Sequence, residues 1–361
     1  MSSKLQVGVL GATGMVGQRF ISLLAEHPWF NIKIVAASPR SAGRIYSEAV
    51  GERWAQNSPI PANIASLIVY DAAQVAEIAS NVDLVFCAVD MPKADTARLE
   101  EDYARHETPV ISNNSAHRNA ADVPMMVPEV NWQHAEVINI QRRRLGVKRG
   151  FIAAKPNCSI QSYVPALHPL MSFGIDKVVV STYQAISGAG KTFAAWPEMV
   201  DNVIPFIKGE EEKSEQEPLK IWGQIGASGI INATQPVISA QCIRVPVSDG
   251  HMATVFVQFK QKPNKEEIIK CWREFVGKPQ QLQLPSAPVP FLTYFEDNAR
   301  PQTKLDRDNG NGMGVTIGRL RDDAIFTYRF VCLSHNTLRG AAGGAVLTAE
   351  LLKAQGYLEA K

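Results

Sequence analysis

Cysteine is scarce, with five among 361 residues. They stand at positions 87, 158, 242, 271 and 332, an odd number with no CxxC pair. That excludes a disulfide framework and a structural zinc site, and points to a reducing compartment, the cytoplasm. Charge of one sign is also lacking: the net charge is only +2. The densest basic run, Arg142-Arg143-Arg144 followed by Lys148 and Arg149, has no aromatics between its charges. It reads as a solvated loop rather than a nucleic-acid surface. No apolar run approaches the roughly 18 residues a membrane span needs. The opening Met1-Ser2-Ser3-Lys4-Leu5 lacks the pattern of a secretory signal and runs directly into a strand. Internal repeats and low-complexity tracts are missing too. Metal, membrane and nucleic acid are therefore not expected as partners.

What remains is an ordinary globular composition, 45% hydrophobic and 20% charged, in a chain long enough for two domains. Leu5 to Leu10 reads as a strand that ends in Gly11-Ala12-Thr13-Gly14-Met15-Val16-Gly17. Behind it, Val16, Phe20, Leu23 and Leu24 follow helical spacing. Strand, glycine turn and helix form the context of a dinucleotide fingerprint, with the glycines three apart instead of GxGxxG. Gly11 and Gly14 let backbone approach a pyrophosphate, the helix N-terminus favours its charge, and Gly17 lets helix pack on strand. A second strand, Ile32 to Ala37, leads to Ser38-Pro39-Arg40-Ser41-Ala42-Gly43-Arg44. NAD sites place an acid here for the ribose hydroxyl. This loop offers hydroxyls and guanidiniums instead, which suits a 2′-phosphate and favours NADP.

Further strands are read at Leu67–Tyr70, Val82–Val89 and Pro109–Ser112. Helices are read at Ala72–Ala79, capped by Asp71, and at Ala94–His106. This alternation predicts a parallel, doubly wound sheet. The polar cluster Asn113 to Asn119 follows a strand end, where open α/β sheets bind ligands, and Arg118 suits an oxyanion. The later strands, 177–186, 240–245, 252–259, 315–320 and 324–333, lack regular intervening helices. They predict a mixed or antiparallel sheet with helices on one face. The Glu210 to Lys213 run reads as a solvated helix face, residues 279–290 as an extended connection, and Asn336 to Gln355 as one long helix returning to the first domain.

The chemistry centres on Ala154-Lys155-Pro156-Asn157-Cys158-Ser159-Ile160-Gln161. A short apolar strand precedes Cys158, and helical spacing (Tyr163, Leu167, Leu170, Met171) follows. A sulfur at a helix N-terminus is expected to have a depressed pKa and to act as a thiolate nucleophile. His251 is the candidate acid/base. Arg244 lies one short strand turn away from it, and His27, His106, His117, His134, His168 and His335 are the competitors. Cysteine with nicotinamide implies thiohemiacetal and thioester chemistry: hydride leaves an aldehyde adduct or reduces an activated acyl group.

Taken together, GATGMVGQRF at 11–20, NNSAHR at 113–118, PNCSIQ at 156–161, YQAISGAGK at 183–191, NVIPFIKGEEEK at 202–213, RVPVSDGH at 244–251 and NTLRGAAGGAVLTAEL at 336–351 resemble the aspartate-semialdehyde dehydrogenase family, in the branch of archaea and fungi. The resemblance implies an α/β fold: an N-terminal Rossmann domain with a parallel sheet over 1–157, completed by the helix at 336–361. An α+β catalytic and dimerisation domain with a mixed sheet would span 158–335. It implies NADP-dependent interconversion of L-aspartate 4-semialdehyde plus phosphate with 4-phospho-L-aspartate, in lysine, threonine and methionine biosynthesis, by a homodimer or homotetramer. Carried over by motif, Cys158 is the nucleophile and His251 the acid/base. Arg244 binds the substrate α-carboxylate, Glu210 its amino group, and Gln184 orients it. Asn114, Arg118 and Lys213 hold phosphate. Gly11, Thr13, Gly14, Met15 and Val16 line the cofactor phosphates. Ser38, Arg40 and Ser41 meet the 2′-phosphate, and Ser187, Gly188 and Asn336 lie near the nicotinamide. Three adjacent glutamates leave the register open among Glu210, Glu211 and Glu212. Malonyl-coenzyme A reduction on the same scaffold is the alternative reaction, and a non-catalytic NADP sensor a more distant one. The reductase of N-acetylglutamyl phosphate ranks lower because its usual residue before the cysteine is glycine, not Asn157.

Overall fold

The computed structural model describes residues 4–56 and 58–361. Its first sheet has six strands: β1 (Leu5–Leu10), β2 (Phe30–Ala37), β3 (Val69–Asp71), β4 (Leu84–Cys87), β5 (Val110–Ser112) and β6 (Ile152–Ala154). All pair in parallel, in the order β3-β2-β1-β4-β5-β6. The order reverses at β1, which lies between β2 and β4, so a crevice opens beyond the C-terminal ends of β1 and β4. Gly11 there has a φ of +79°, and a Cβ on it would stand 2.3 Å from the carbonyl oxygen of Ala88. A Cβ on Gly17 would stand 2.1 Å from that of Gly11. Both positions exclude side chains, which seats the helix Met15–Leu24 directly on the turn.

The second sheet is mixed, in the order β10-β7-β11-β14-β13-β12. Its strands are β7 (Ile175–Gln184), β10 (Val237–Arg244), β11 (His251–Phe259), β12 (Leu292–Phe295), β13 (Val315–Asp322) and β14 (Tyr328–Ser334). A small hairpin of β8 (Gln224–Gly226) and β9 (Gly229–Ile231) stands apart. Along β7 and β11, buried and part-exposed residues alternate. The buried side packs on the helices Ile160–Leu167 and Lys265–Glu274, where Trp272 donates to the carbonyl of Ala166 at 2.7 Å. The opposite side, with Thr254 and Phe256, carries no such helix layer and stays part-exposed. Register brings three strand ends together: Arg244 pairs with Gln184, and Met252, next to His251, pairs with Tyr183.

Several local expectations are corrected. Asp71 does not cap a helix. Its carboxylate accepts the N–H of Ala73 at 3.0 Å, and the helix starts only at Val75. The arginine run is not a loop but the last turn of the helix Ile138–Leu145, where cations complement the dipole, and Arg142 stacks on Phe151. Strand β14 begins at Tyr328, not Ala324, because Asp323 closes a turn on the N–H groups of Ile325 and Phe326. The supposed extended connection contains the short helix Lys278–Gln281. The last long helix is broken. A π-helical turn, Leu338–Ala342, with Ala341 at φ −141° and ψ −107°, precedes the regular helix Gly343–Ala354. That helix buries Val346, Leu347, Leu351 and Leu352 in the same core as β1 and β2.

Candidate active site

Two clefts meet at the end of β1. The first, about 560 Å³, is lined by Gly11, Thr13, Gly14, Ser38, Arg40 and Ser41, together with Arg44 and Arg53. The helix Met15–Leu24 has no side-chain cap, so its first N–H groups remain available to an anion. Three guanidiniums around one loop suit a further phosphate. An uncapped helix start with a turn that excludes side chains therefore fits a phosphorylated dinucleotide. Met15 is the first residue of that helix and touches neither cleft lining.

The second cleft, about 550 Å³, brings together Val16, Asn114, Arg118, Cys158, Gln184, Ser187, Gly188, Glu210, Lys213, Arg244 and Asn336. Cys158 lies two residues before the helix Ile160–Leu167. Its loop is fixed by Asn157, whose Oδ1 accepts the N–H of Ser159 at 2.8 Å and its hydroxyl at 2.6 Å. The expected depression of the thiol pKa is not found. Burial pushes Cys158 up to about 11, and Glu210 adds to the rise, against Lys155, Arg118 and Arg244. Part of the helix-start field is already spent, because Asn157 occupies one of the free amides.

The acidic run is not a solvated face. The helix Glu210–Ile221 buries Glu210, Ser214 and Glu217, at i, i+4 and i+7. Of the three adjacent glutamates, Glu210 is the one that lines the cleft. Glu210 accepts both Asn157 (3.0 Å) and Gln184 (3.2 Å), and pairs with Lys213 at 2.9 Å. Glu211 instead accepts the N–H of Cys242, and Glu212 is exposed. Burial opposes ionisation of Glu210, but Lys213, Asn157 and Gln184 together hold its pKa below the usual value. Arg244, 5% exposed, donates to the carbonyl of Ala185 at 2.6 Å.

His251 is fully buried and is not part of the cleft wall. It lies behind Gly188, where a Cβ would stand 3.0 Å from its Nε2 and 2.8 Å from Nη1 of Arg244. Nε2 has no hydrogen-bond partner among the described residues, and none joins His251 to Cys158. Burial, with Arg244 beside it, lowers the His251 pKa to about 3. Asn336 spans the two turns: its amide donates to Ser187 Oγ at 2.8 Å, and its oxygen accepts the N–H of Gly250 at 2.8 Å. Asn114 lines the cleft, while its amide donates to the buried Glu100 at 3.0 Å.

Sequence reading missed several members of this neighbourhood. Glu217 accepts Arg118 at 2.9 Å and the N–H of Asn157 at 2.6 Å, tying the 113–118 loop to the cysteine loop. Its signal was the helical spacing from Glu210. Gly340 abuts Cys158, since a Cβ on it would stand 2.8 Å from Cβ of that residue. Arg53 adds to the first cleft and had no signal in the sequence.

A family model for the NAD binding domain of semialdehyde dehydrogenase matches residues 6–138, and one for the semialdehyde dehydrogenase dimerisation domain matches residues 167–339. Aspartate-semialdehyde dehydrogenase of Archaeoglobus fulgidus is 43% identical over 97% of this chain and 98% of its own; that of Aspergillus fumigatus is 41% identical over 98% and 99%. The crystal structure of the Candida albicans enzyme with NADP superposes with a TM-score of 0.89, at 37% identity, over 98% of this chain and all of that one. A Vibrio cholerae aspartate semialdehyde dehydrogenase II, complexed with ASA, superposes with a TM-score of 0.75 at 26% identity, over 98% of this chain and 99% of its own. With such identity sustained over nearly the full length of both chains, this protein belongs to the aspartate-semialdehyde dehydrogenase family.

Proposed function

We propose that the protein is an NADP-dependent aspartate-semialdehyde dehydrogenase that reduces 4-phospho-L-aspartate to L-aspartate 4-semialdehyde through a thioester on Cys158. The observation that carries this reading is the convergence of Gln184, Arg244, Glu210 and Lys213 on the cleft that holds Cys158. One cation and one carboxylate set close together suit the α-carboxylate and α-ammonium of an amino acid. Residues 1–157 with 336–361 form the cofactor unit, and 158–335 the catalytic unit.

Arg244 binds the α-carboxylate and Glu210 the α-ammonium, which presents C4 to Cys158. The sulfur forms a bond to C4 as the C4–O bond to phosphate breaks, and Arg118, Lys213 and Asn114 hold the departing phosphate. NADPH, when bound, supplies the hydride that reduces the acyl carbon. His251 offers the Nε2 proton to the oxygen that carries developing charge. As the C–S bond breaks, the hydroxyl proton returns to Nε2 of His251, the C=O bond of the aldehyde forms, and Cys158 leaves as a thiolate. Thr13 and Gly14 border the cofactor phosphates, and Met15 and Val16 offer them only backbone N–H groups at the helix start. Ser38, Arg40 and Ser41 hold the 2′-phosphate, and Ser187, Gly188 and Asn336 border the nicotinamide. A homodimer, and by doubling a tetramer, forms across the part-exposed side of the second sheet, in the cytoplasm.

The test is phosphate-dependent oxidation of L-aspartate 4-semialdehyde, followed by NADPH absorbance. Turnover that needs phosphate, Cys158 and NADP in preference to NAD is expected. Reduction of malonyl-coenzyme A with no turnover of the semialdehyde overturns the assignment, and equal kcat/KM with NAD overturns the reading of the Ser38–Arg44 loop.

A further inference from the structure

Besides Arg244, which donates to the carbonyl of Ala185, four further cations are buried in and around the cysteine loop, and three of them have partners. Arg118 pairs with Glu217, and Arg339 with Glu129. Lys220 donates to the carbonyls of Arg118, Ala120 and Val123. The fourth, Lys155, is 2% exposed and has no ion-pair partner among the described residues. Its Nζ makes one hydrogen bond, to the carbonyl of Pro156 at 3.2 Å. An ammonium buried with one neutral acceptor is unstable unless an anion forms beside it.

The backbone ties Lys155 to the loop that carries Cys158. Its N–H donates to Ser112 at the end of β5 (2.7 Å), and Pro156 and Asn157 then turn the chain toward Cys158. Lys155 and Cys158 also both pack against glycines of the C-terminal segment. A Cβ on Gly344 would stand 2.8 Å from Cε of Lys155, and a Cβ on Gly340 would stand 2.8 Å from Cβ of Cys158. The break at Ala341 lies between these two glycines.

We propose that Lys155 is a positioning residue that supplies the counter-charge to the Cys158 thiolate, its ammonium being stable only while the sulfur is ionised. This deepens the reading of Cys158 as nucleophile and rests on it. The groups facing Lys155 are Cys158, Arg118, Arg339 and Glu217; burial lowers its pKa well below the ordinary lysine value, and only Cys158 and Glu217 act in the opposite sense. Glu217 is already engaged by Arg118 and the N–H of Asn157. The sulfur is the one anion left for Lys155 to match. A charge separation between the two conserves net charge: the S–H proton is lost and the amine holds one.

The experiment measures alkylation of Cys158 by iodoacetamide against pH, read by mass spectrometry of its peptide, in wild type, Lys155→Met and Lys155→Arg. In Lys155→Met the titration is expected to move up by at least about one unit, with a rate near pH 7 about tenfold lower. Lys155→Arg restores most of the rate. Methionine fills the space without burying an unmatched charge, so its melting temperature is expected to equal or exceed that of wild type. A Lys155→Met profile that superposes on wild type, an equal slowing in both variants, or a Lys155→Met protein that melts well below wild type overturns the proposal. If wild-type Cys158 reacts no faster than Cys271, the nucleophile reading falls with it; a reactive Cys158 indifferent to residue 155 overturns only the role of Lys155.

Discussion

Nδ1 of His251 accepts the backbone N–H of Ala185 at 3.1 Å, so the proton of the neutral ring sits on Nε2. A second proton on the ring would set two N–H groups against each other in a fully buried place beside Arg244, in keeping with the pKa of about 3. The neutral ring thus presents a donor at Nε2 that has no partner among the described residues.

This predicts one tautomer, protonated on Nε2, from pH 8 down to pH 5, read by ring-nitrogen chemical shifts. The pH profile of kcat should contain no limb from His251 in that range. His251→Ala is expected to lower kcat by about 10²- to 10⁴-fold while NADP binding stays unchanged. An imidazolium signal appearing near pH 6.5 contradicts this account.

Gly340 offers a second test. The added methyl of Gly340→Ala would stand 2.8 Å from Cβ of Cys158 and 3.3 Å from its Cα, so either the nucleophile or the π-helical turn has to move. Misplacement of this size is expected to cost about 100-fold in kcat, with little change in melting temperature. An alanine variant with wild-type kcat shows that the turn gives way instead. Ala342→Gly, in the same segment but away from the sulfur, is the control.

Periodicity and glycine placement made the first sheet legible, because β1, the Gly11–Gly17 turn and its helix are determined by local sterics. In the second sheet β7 and β11 were legible, since β11 and the part of β7 from Val178 onward alternate between buried and part-exposed residues, whereas the short edge strand β12 was not read. Charge composition misled where tertiary contacts override it. Glu210–Lys213 read as solvent-facing, yet Asn157 and Gln184 satisfy Glu210 from elements 53 and 26 residues away. The thiol pKa failed for a related reason: a helix start is a local signal, whereas burial and Glu210 come from the fold. The break at Ala341 had only the run of small residues to announce it, and a helix through glycine looks the same in sequence whether or not it is interrupted.

Glu217 joins two loops, and removing its charge separates their fates. Glu217→Gln leaves Arg118 buried without its anion, and its amide end has to face either the guanidinium or the N–H of Asn157. Breaking a buried pair on one side costs about 3 kcal/mol. A melting temperature lower by several degrees is therefore expected, with a KM for phosphate raised several-fold and an unchanged KM for NADP. Glu212→Gln, exposed on the same helix, is expected to behave as wild type. Equal thermal and kinetic behaviour of the two variants contradicts the bridging role.

Three histidines, with His134 lowered by burial in the same sense, predict how stability changes with acid. Burial lowers the pKa of His168 and of His335 to about 4 and that of His251 to about 3, from the ordinary 6.5. Between those limits the unfolded chain binds protons that the native chain refuses, so stability falls as pH drops from 6.5 toward 4. Above 6.5 all three are neutral in both states and the effect vanishes. Buried Glu100 and Glu129, whose pKa values burial raises, act in the opposite direction as pH falls, so the total slope mixes both signs. His168 separates them. It lies edge-on to Phe275 at 5.8 Å, remote from the cleft, and its Nδ1 has no partner among the described residues. Relative to wild type, His168→Phe is expected to gain on the order of 2 kcal/mol of unfolding free energy between pH 7 and pH 4, allowing for its partial exposure. Urea denaturation at the two pH values measures the difference. A constant offset between the proteins would mean that His168 binds its proton alike in the folded and unfolded chain, and its burial would then not be the source of the acid sensitivity.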